Sequence, residues 1–336
     1  GENAMRAMKG TGKSGRATAL AVGACACMLT LGLSGCVFTT PSRAEVEPEP
    51  IEAVLTSDGL VNDGVLTVAM DTTDAPQAMT DADGAPSGYY ADVARALAER
   101  LGLDLKVVSS ANASSAIEDG EADIYLGTKI ADDDEGLAVT EAIVGDASSV
   151  FAHNEDGSRE APALDADSLA GSVIAVQSDS ASQDALDRGG VDATLKACSN
   201  VNECFEALSS GAADYVACDA TAGAYLARAY PGTVFVATVG SLSTYGIAMP
   251  DVDSDLTRAV EDAMDGLQGD GTLEAIYRSW YGSLPFDLAG SRLSGLTATS
   301  DDETAGQDGE DQGETGSSSS QGDSDLTFSG DINAID

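Results

Sequence analysis

A short motif occurs twice in this chain, and each copy joins the end of a helix to the start of an apolar strand. Gly120-Glu121-Ala122-Asp123-Ile124 matches Gly211-Ala212-Ala213-Asp214-Tyr215. Each copy is preceded by another apolar strand that runs into a polar loop, at residues 65–70 and 173–176. One copy alone would indicate only a helix stop and a strand start. Two copies with their partner strands predict a mixed α/β fold of two similar lobes, with facing loops that form a cleft.

The second copy leads into a strand that ends on an acid. Residues 213–218 are apolar, Asp219 follows them, and the small residues after Asp219 begin a helix. Ligands of open α/β sheets bind where strands stop and helices start, because side chains and free helix N–H groups converge there. Asp219 is therefore a candidate ligand-binding residue. Its alternative role is to cap the helix that follows it.

Length and charge limit the classes of function. A chain of 336 residues suggests about two domains of ordinary size. A formal net charge of -41 excludes a protein that binds nucleic acid through phosphate contacts. No metal or cofactor is expected, because the chain has one histidine, His153, and lacks a Cys-x-x-Cys pair. No catalytic residue is predicted either, since no nucleophile–base pair is evident.

The two ends of the chain are predicted to lie outside the folded lobes. Residues 1–35 combine a basic start with a short apolar stretch, which is typical of an export signal. Leu33-Ser34-Gly35-Cys36 resembles a bacterial lipobox, which predicts lipidation of Cys36 and anchoring to the outer face of the cell membrane. Residues 36–57 are expected to be a linker. Residues 291–336, acidic and rich in Gly and Ser after about Leu296, are expected to be a disordered tail.

Three cysteines remain for the folded part: Cys198, Cys204 and Cys218. An exported protein can oxidise them. Either a Cys198–Cys204 or a Cys198–Cys218 disulfide fits the order of elements, and the sequence leaves this pairing open.

The chain is expected to cross between the two lobes at two strands. Residues 148–152 and 243–249 have the apolar character of such strands. The expected first lobe comprises 58–152 and 243–290, and the second 153–242. Helices are predicted at 89–101, 254–268 and 272–281 from their apolar spacing.

Seven segments in this order resemble one family, the extracellular solute-binding proteins of ABC importers for polar amino acids (family 3). They are Gly64–Ala69, Gly88–Leu97, Gly120–Asp123, Leu169–Ser178, Gly211–Asp214, Tyr245–Ala248 and Asp270–Gly282. The resemblance covers about residues 64–284. It implies a periplasmic-binding-protein-like fold of type II, in which two lobes close on a ligand like a hinge.

The resemblance also implies roles for particular residues. Asp219 would hold the ammonium group of an amino acid, and Ser180 is the nearest match to a small hydroxyl residue of the family site. Gln77 stands where relatives stack an aromatic ring, and Tyr90 where they carry an aspartate. Tyr89 or Tyr90 could supply an aromatic wall instead.

The family arginine that grips the ligand carboxylate is absent, since Asp134 stands in its place. Lys129 is one candidate replacement for it. The alternative is that the ligand is cationic or lacks a free carboxylate. Asp71 and Thr128, at the ends of first-lobe strands, complete the candidate set.

The implied function is that of a lipid-anchored receptor, expected to be a monomer, that hands a small polar solute to an ABC permease and ATPase. The sequence also permits two other classes of function. One is a ligand-sensing or adhesion module that has lost transport. The other is a dehydratase-type enzyme on the same fold.

Overall fold

The computed structural model describes residues 59–132, 136–154, 157–252 and 254–297. The expected export signal, Cys36, the linker up to residue 58, Asp134 and the chain after residue 297 lie outside the described residues. Within them, two β-sheets with flanking helices form two lobes. None of the helices in these ranges has both the length and the apolar character needed to cross a membrane.

The helices and strands, in chain order, are β1 (Val65–Met70), β2 (Met79–Thr80), β3 (Pro86–Ser87), α1 (Tyr89–Leu101), β4 (Asp104–Ser109), α2 (Ala113–Glu118), β5 (Ile124–Lys129), β6 (Leu137–Val139), β7 (Val144–Asp146), β8 (Ser148–His153), β9 (Val173–Gln177), α3 (Ala181–Arg188), β10 (Thr194–Cys198), α4 (Val201–Ser209), β11 (Tyr215–Asp219), α5 (Ala220–Ala227), β12 (Thr233–Thr238), β13 (Ser243–Pro250), α6 (Asp255–Gly269) and α7 (Thr272–Tyr281).

The first lobe is built on the sheet β4-β1-β5-β13-β6, with β7 paired to β13. β4, β1 and β5 are parallel, and β13 returns antiparallel to β5. The second lobe is built on β10-β9-β11-β8-β12, in which β10, β9 and β11 are parallel and β8 is antiparallel. Two α/β lobes were predicted, and the structure has this architecture.

The repeated motif makes the same kind of hydrogen bond in both lobes. The Asp123 carboxylate accepts the backbone N–H of Thr67 in β1 at 2.6 Å, and the Asp214 carboxylate accepts that of Val173 in β9 at 2.8 Å. The glycine of each copy, Gly120 or Gly211, has φ near +70° (68° and 72°), which ends the preceding helix at low cost because glycine lacks a Cβ. The motif therefore joins neighbouring parallel strands and is not part of a ligand site.

The first crossing lies earlier than the sequence indicated. Residues 148–152, expected to close the first lobe, instead pair with β11 and β12 of the second sheet. The chain leaves the first sheet at Asp146, where β7 ends, and enters the second sheet two residues later. Residue composition could not reveal this change of sheet, because only Ala147 separates the end of β7 from the start of β8. β13 lies in the first sheet as the return strand.

The C-terminal boundary also differs from the expectation of a tail that starts at residue 291. Leu293 is 2% exposed, and its N–H donates to the carbonyl of Thr238 at the end of β12 at 2.8 Å. The N–H of Thr297 donates to the carbonyl of Gly189 at 2.9 Å. This segment follows α7 of the first lobe and packs on the second, so it is a further passage between the lobes. A cavity of about 500 Å³ lies between it, β12 and residues 159–164.

The three cysteines are free and buried, so neither proposed disulfide is present. Burial raises the pKa of the Cys204 thiol, and a hydrogen bond with Cys198 raises it further. Cys218 lies on β11 directly before Asp219, where burial also raises its pKa. These thiols fill apolar space between α4 and the second sheet.

Two helical glycines offer a matched test of this packing. A Cβ at Gly223 in α5 would overlap the ring of Phe151 and lie 2.8 Å from Sγ of Cys218. We expect Gly223→Ala to lower the free energy of unfolding by about 1–3 kcal/mol. Gly269→Ala, whose Cβ would meet no atom within 4 Å, should raise it by up to about 1 kcal/mol. Chemical denaturation measures both, and equal stabilities of the two variants would contradict the packing of α5 on β8.

Candidate functional site

The candidate site lies where the parallel strands of both sheets end. β1 is followed by Asp71, β5 ends at Lys129, and β11 ends at Asp219. Since β8 enters the second sheet beside β11, the first crossing passes through the same place. The site is therefore a cleft at the carboxyl ends of the strands, where ligands of α/β proteins bind.

Asp219 occupies the N-cap position of α5, but its side chain makes no capping hydrogen bond. Asp146 at the crossing caps the helix instead. Its Oδ1 accepts the N–H of Thr221 at 3.2 Å, and its Oδ2 accepts a short hydrogen bond from the Thr221 hydroxyl. The capping role that the sequence left open for Asp219 is thus filled by another residue.

Gln77 connects the first lobe to this arrangement. Its Nε2 donates to Oγ1 of Thr221 at 2.7 Å. Its Oε1 is buried and has no hydrogen-bond partner among the described residues, and the same is true of Oγ1 of Thr128. A buried acceptor without a donor costs roughly 1–3 kcal/mol. The Gln77 oxygen, held beside Thr221, therefore gains from a donor that enters the cleft.

The carboxylates of the cleft lie close to one another. Burial, followed by repulsion from Asp71 and Asp219, raises the pKa of Asp74 to about 6. Burial, followed by repulsion from Asp219, raises the pKa of Asp146 to about 7, although the hydrogen bonds from Thr221 oppose this. Burial also raises the pKa of Asp219. Each of these residues is half-buried, as expected for the wall of a cleft.

No described lysine or arginine is among the groups that shift these three pKa values. Lys129 is half-buried at the end of β5, opposite Tyr245 in the strand register, and makes no ion pair with a described residue. Among the described residues, the cleft carboxyl groups therefore have no basic partner when they are ionised.

Tyrosine side chains lie near the carboxylates. Burial raises the pKa of Tyr245, and repulsion from Asp146, Asp74 and Asp219 raises it further. Tyr90 is 3% exposed; burial raises its pKa well above the usual value, and repulsion from Asp74 raises it further. Gly127, with φ +101°, makes room for the Tyr90 ring, since a Cβ there would lie 2.7 Å from Cε2 of the ring.

Tyr89, a predicted wall of the site, lies in the core instead. It is fully buried, its hydroxyl donates to the carbonyl of Ile143 at 2.7 Å, and its ring packs against Tyr277 and Tyr281. The apolar stripe of α1 carries it inward, because Val93 and Leu97 share its buried face.

Two other predicted residues serve local structure. Ser180 caps α3 by accepting the N–H of Gln183 at 3.2 Å. Asp71 accepts the N–H of Thr73 at 2.9 Å and its hydroxyl at 2.7 Å, which shapes the loop after β1. Both lie at strand ends, so a ligand contact would be an additional role.

Sequence reasoning missed Asp74, Asp146, Thr221 and Tyr245 as members of the cleft. Asp74 lies in the polar loop after β1, and Tyr245 begins one of the seven segments that resemble the family. The sequence positions of these two residues could therefore have indicated a place near the cleft. Asp146 and Thr221 gave none, because their contact joins residues 75 positions apart in the chain.

Comparison with known proteins agrees with this architecture. Residues 66–283 match the model of the bacterial extracellular solute-binding proteins, family 3. One similar structure is a polar amino acid ABC uptake transporter substrate binding protein from Streptococcus thermophilus (TM-score 0.59, 17% identity, 67% of this chain and 88% of that chain). Another is the L-cystine solute receptor of Neisseria gonorrhoeae (TM-score 0.55, 19% identity, 68% and 97%). A third is an ancestral cationic amino acid solute binding protein (TM-score 0.54, 24% identity, 65% and 96%). At these identities the likeness shows the shared fold.

The raised carboxylate pKa values predict a pH dependence of stability. The folded state holds these protons more tightly than the unfolded chain, so this contribution to the free energy of unfolding falls as the pH rises from about 4 to about 7. Asp146→Asn keeps an oxygen acceptor for Thr221 but has no proton to lose as the pH rises. We expect it to reduce the loss of stability between pH 5 and pH 8 by about 1 kcal/mol, or roughly 2–4 °C in Tm.

Thermal unfolding across this pH range measures the effect. The control is Asp187→Asn, an exposed acid on α3. An Asp146→Asn protein with the same pH profile as the control would contradict a buried, repelled carboxylate at the crossing.

Proposed function

The chain belongs to the bacterial extracellular solute-binding proteins of family 3, and from this membership we propose that it captures a small polar solute between its lobes for an ABC importer. The solute is an amino acid or a derivative that carries an ammonium group. Permease and ATPase subunits are the proposed partners. A lipid anchor at Cys36 would hold the protein, as a monomer, at the outer face of the membrane.

The observation that carries this proposal is the free carboxylate of Asp219 at the junction of the two lobes. Asp146 has taken over the helix cap, so Asp219 is available to a ligand. The Gln77–Thr221 hydrogen bond joins the first-lobe loop to the second-lobe helix beside it. A solute bound here touches both lobes, and a ligand that binds only the closed arrangement shifts the lobes toward closure.

The lobes also meet outside the cleft. The rings of Tyr225 in α5 and Trp280 in α7 stack with centroids 5.9 Å apart and an interplanar angle of 22°. Nε1 of Trp280 donates to Asp92 in α1 at 2.8 Å. Trp280 therefore serves packing between the lobes, and the proposed ligand site depends on the strand ends.

Ligand capture is tested by thermal unfolding of the full chain against amino acids, amines, small peptides and nucleosides. A ligand at about one hundred times its Kd adds about 2.7 kcal/mol to the free energy of unfolding. Asp219→Asn should weaken the binding of that ligand at least tenfold, since a hydrogen bond to a charged group contributes about 1.5–3 kcal/mol. Asp187→Asn is the matched control. Stabilisation by no member of the panel would refute solute capture, and chemical change of the bound ligand would favour the dehydratase alternative.

Membrane anchoring has its own test. In cells that produce the full chain, Cys36→Ala should move the protein from the membrane fraction to the soluble exported fraction and abolish incorporation of a labelled fatty acid. Cys198→Ala, a buried cysteine of the second lobe, should leave both properties unchanged. Membrane retention of the Cys36→Ala protein would rule out this anchor.

A further inference from the structure

We propose that the cleft selects an organic cation without a carboxylate, such as an alkyl diamine, over a zwitterionic amino acid. The inference rests on the proposed function, because it names the class of solute that the same site takes. It depends on three independent features of the cleft: the arrangement of its carboxylates, an unpaired amide oxygen, and the rings around them.

The strand register brings two of the carboxylates together. Asp219 pairs with Ser148 across β11 and β8, and the next residues continue the contact through the N–H of Ala220 and the carbonyl of Ala147 at 3.0 Å. The following pair is Thr221 and Asp146, joined by two hydrogen bonds. Asp146 and Asp219 are thus fixed as neighbours by backbone geometry.

The first lobe faces this pair with two more carboxylates. The loop after β1 carries Asp71 and Asp74, and the N–H of Asp74 donates to the carbonyl of Asp71 at 3.2 Å. The Gln77–Thr221 hydrogen bond holds this loop against the start of α5, two residues after Asp219, and repulsion from Asp219 contributes to the raised pKa of Asp74. Negative charge on both sides of a cleft suits a solute with a positive group at each end.

The amide of Gln77 is evidence for a donor ligand that does not rest on charge. The residue is 9% exposed, its Nε2 is engaged with Thr221, and its Oε1 has no partner among the described residues. Thr221 is also the residue bound to Asp146, so the unpaired oxygen lies within the same hydrogen-bonded group. An amide oxygen only accepts hydrogen bonds, and an ammonium group offers three donors.

A ligand carboxylate has no evident partner in the same space. A desolvated carboxylate needs a charged donor, and the strongest is a bidentate arginine. Lys129 lies at the end of β5 but forms no ion pair with a described residue and does not lower the pKa of Asp74, Asp146 or Asp219. A zwitterion would place its negative end against these acids.

The rings favour an organic cation over a metal ion. Tyr245 is half-buried opposite Lys129 at the end of β5, and the ring of Tyr90 lies against Gly127 of the same strand. Aromatic faces attract alkylammonium groups and provide apolar contact for a carbon chain. Among the described residues, no group of three or more histidine, cysteine or acidic side chains has the arrangement of a metal site.

The decisive experiment compares amines with the amino acids from which they differ by one carboxylate. Calorimetric titration of the full chain at pH 8 would use cadaverine against lysine, putrescine against ornithine, and agmatine against arginine. We expect at least one amine to bind ten or more times as tightly as its amino acid. An amino acid that binds as tightly as its amine, or tighter, overturns the inference and leaves the proposed function standing.

Two other outcomes also count against the inference. Binding of Mg²⁺ or Ca²⁺ with no binding of the amines would replace the organic cation by a metal ion. If neither the six compounds nor any solute of the wider panel binds, the proposed function fails together with the inference.

Variants then locate the contact. Asp74→Asn and Asp219→Asn should each weaken amine binding at least tenfold, while Asp83→Asn, an exposed acid in the turn between β2 and β3, should have no effect. Lys129→Ala should leave amine binding unchanged or strengthen it. Weakened binding of an amino acid by Lys129→Ala, with no effect of Asp74→Asn, would assign Lys129 as a carboxylate anchor and refute the inference. A single cooperative thermal unfolding transition of each unliganded variant would establish that it is folded.

Discussion

The hydrogen bonds between Asp146 and Thr221 hold the functional end of this protein together. Asp146 stands where the chain leaves the first sheet, and Thr221 belongs to the first turn of α5 in the second lobe. The Thr221 hydroxyl oxygen also accepts a hydrogen bond from the amide of Gln77 in the first-lobe loop. One threonine thus joins the crossing, a second-lobe helix and a first-lobe loop. Because Asp146 supplies the helix cap, Asp219 keeps a carboxylate that no local structure requires.

This arrangement brings several carboxyl groups together in the cleft, although their burial does not stabilise the fold. Most acids of the described ranges are exposed at the surface, but Asp74, Asp146 and Asp219 have pKa values raised by burial and have no described basic partner. Unpaired buried charges oppose folding. Such groups are concentrated at binding sites, where a ligand of opposite charge supplies the missing partner. The unpaired Oε1 of Gln77 fits the same account.

Most of the fold could be predicted because it follows from local patterns. The two Gly-x-Ala-Asp copies, the apolar strands beside them and the stripe of α1 each depend on residues close in the chain. The errors fall where a boundary depends on long-range pairing. Ser148 to His153 joins the second sheet because β11 and β12 offer free edges to it. Leu293 packs on the second lobe because the end of β12 accepts its N–H.

The sequence by itself determined the two α/β lobes, the resemblance to family 3 and the position of Asp219 at a strand end, since all three depend on residue order and spacing. Only the tertiary structure decided which side chains share the cleft. It brought Asp74, Asp146, Thr221 and Tyr245 to Asp219 and buried Tyr89 against Tyr277 and Tyr281. The reason is that hydrogen bonds and charge repulsion act over a few ångströms in space, and residues so placed can be far apart in the chain.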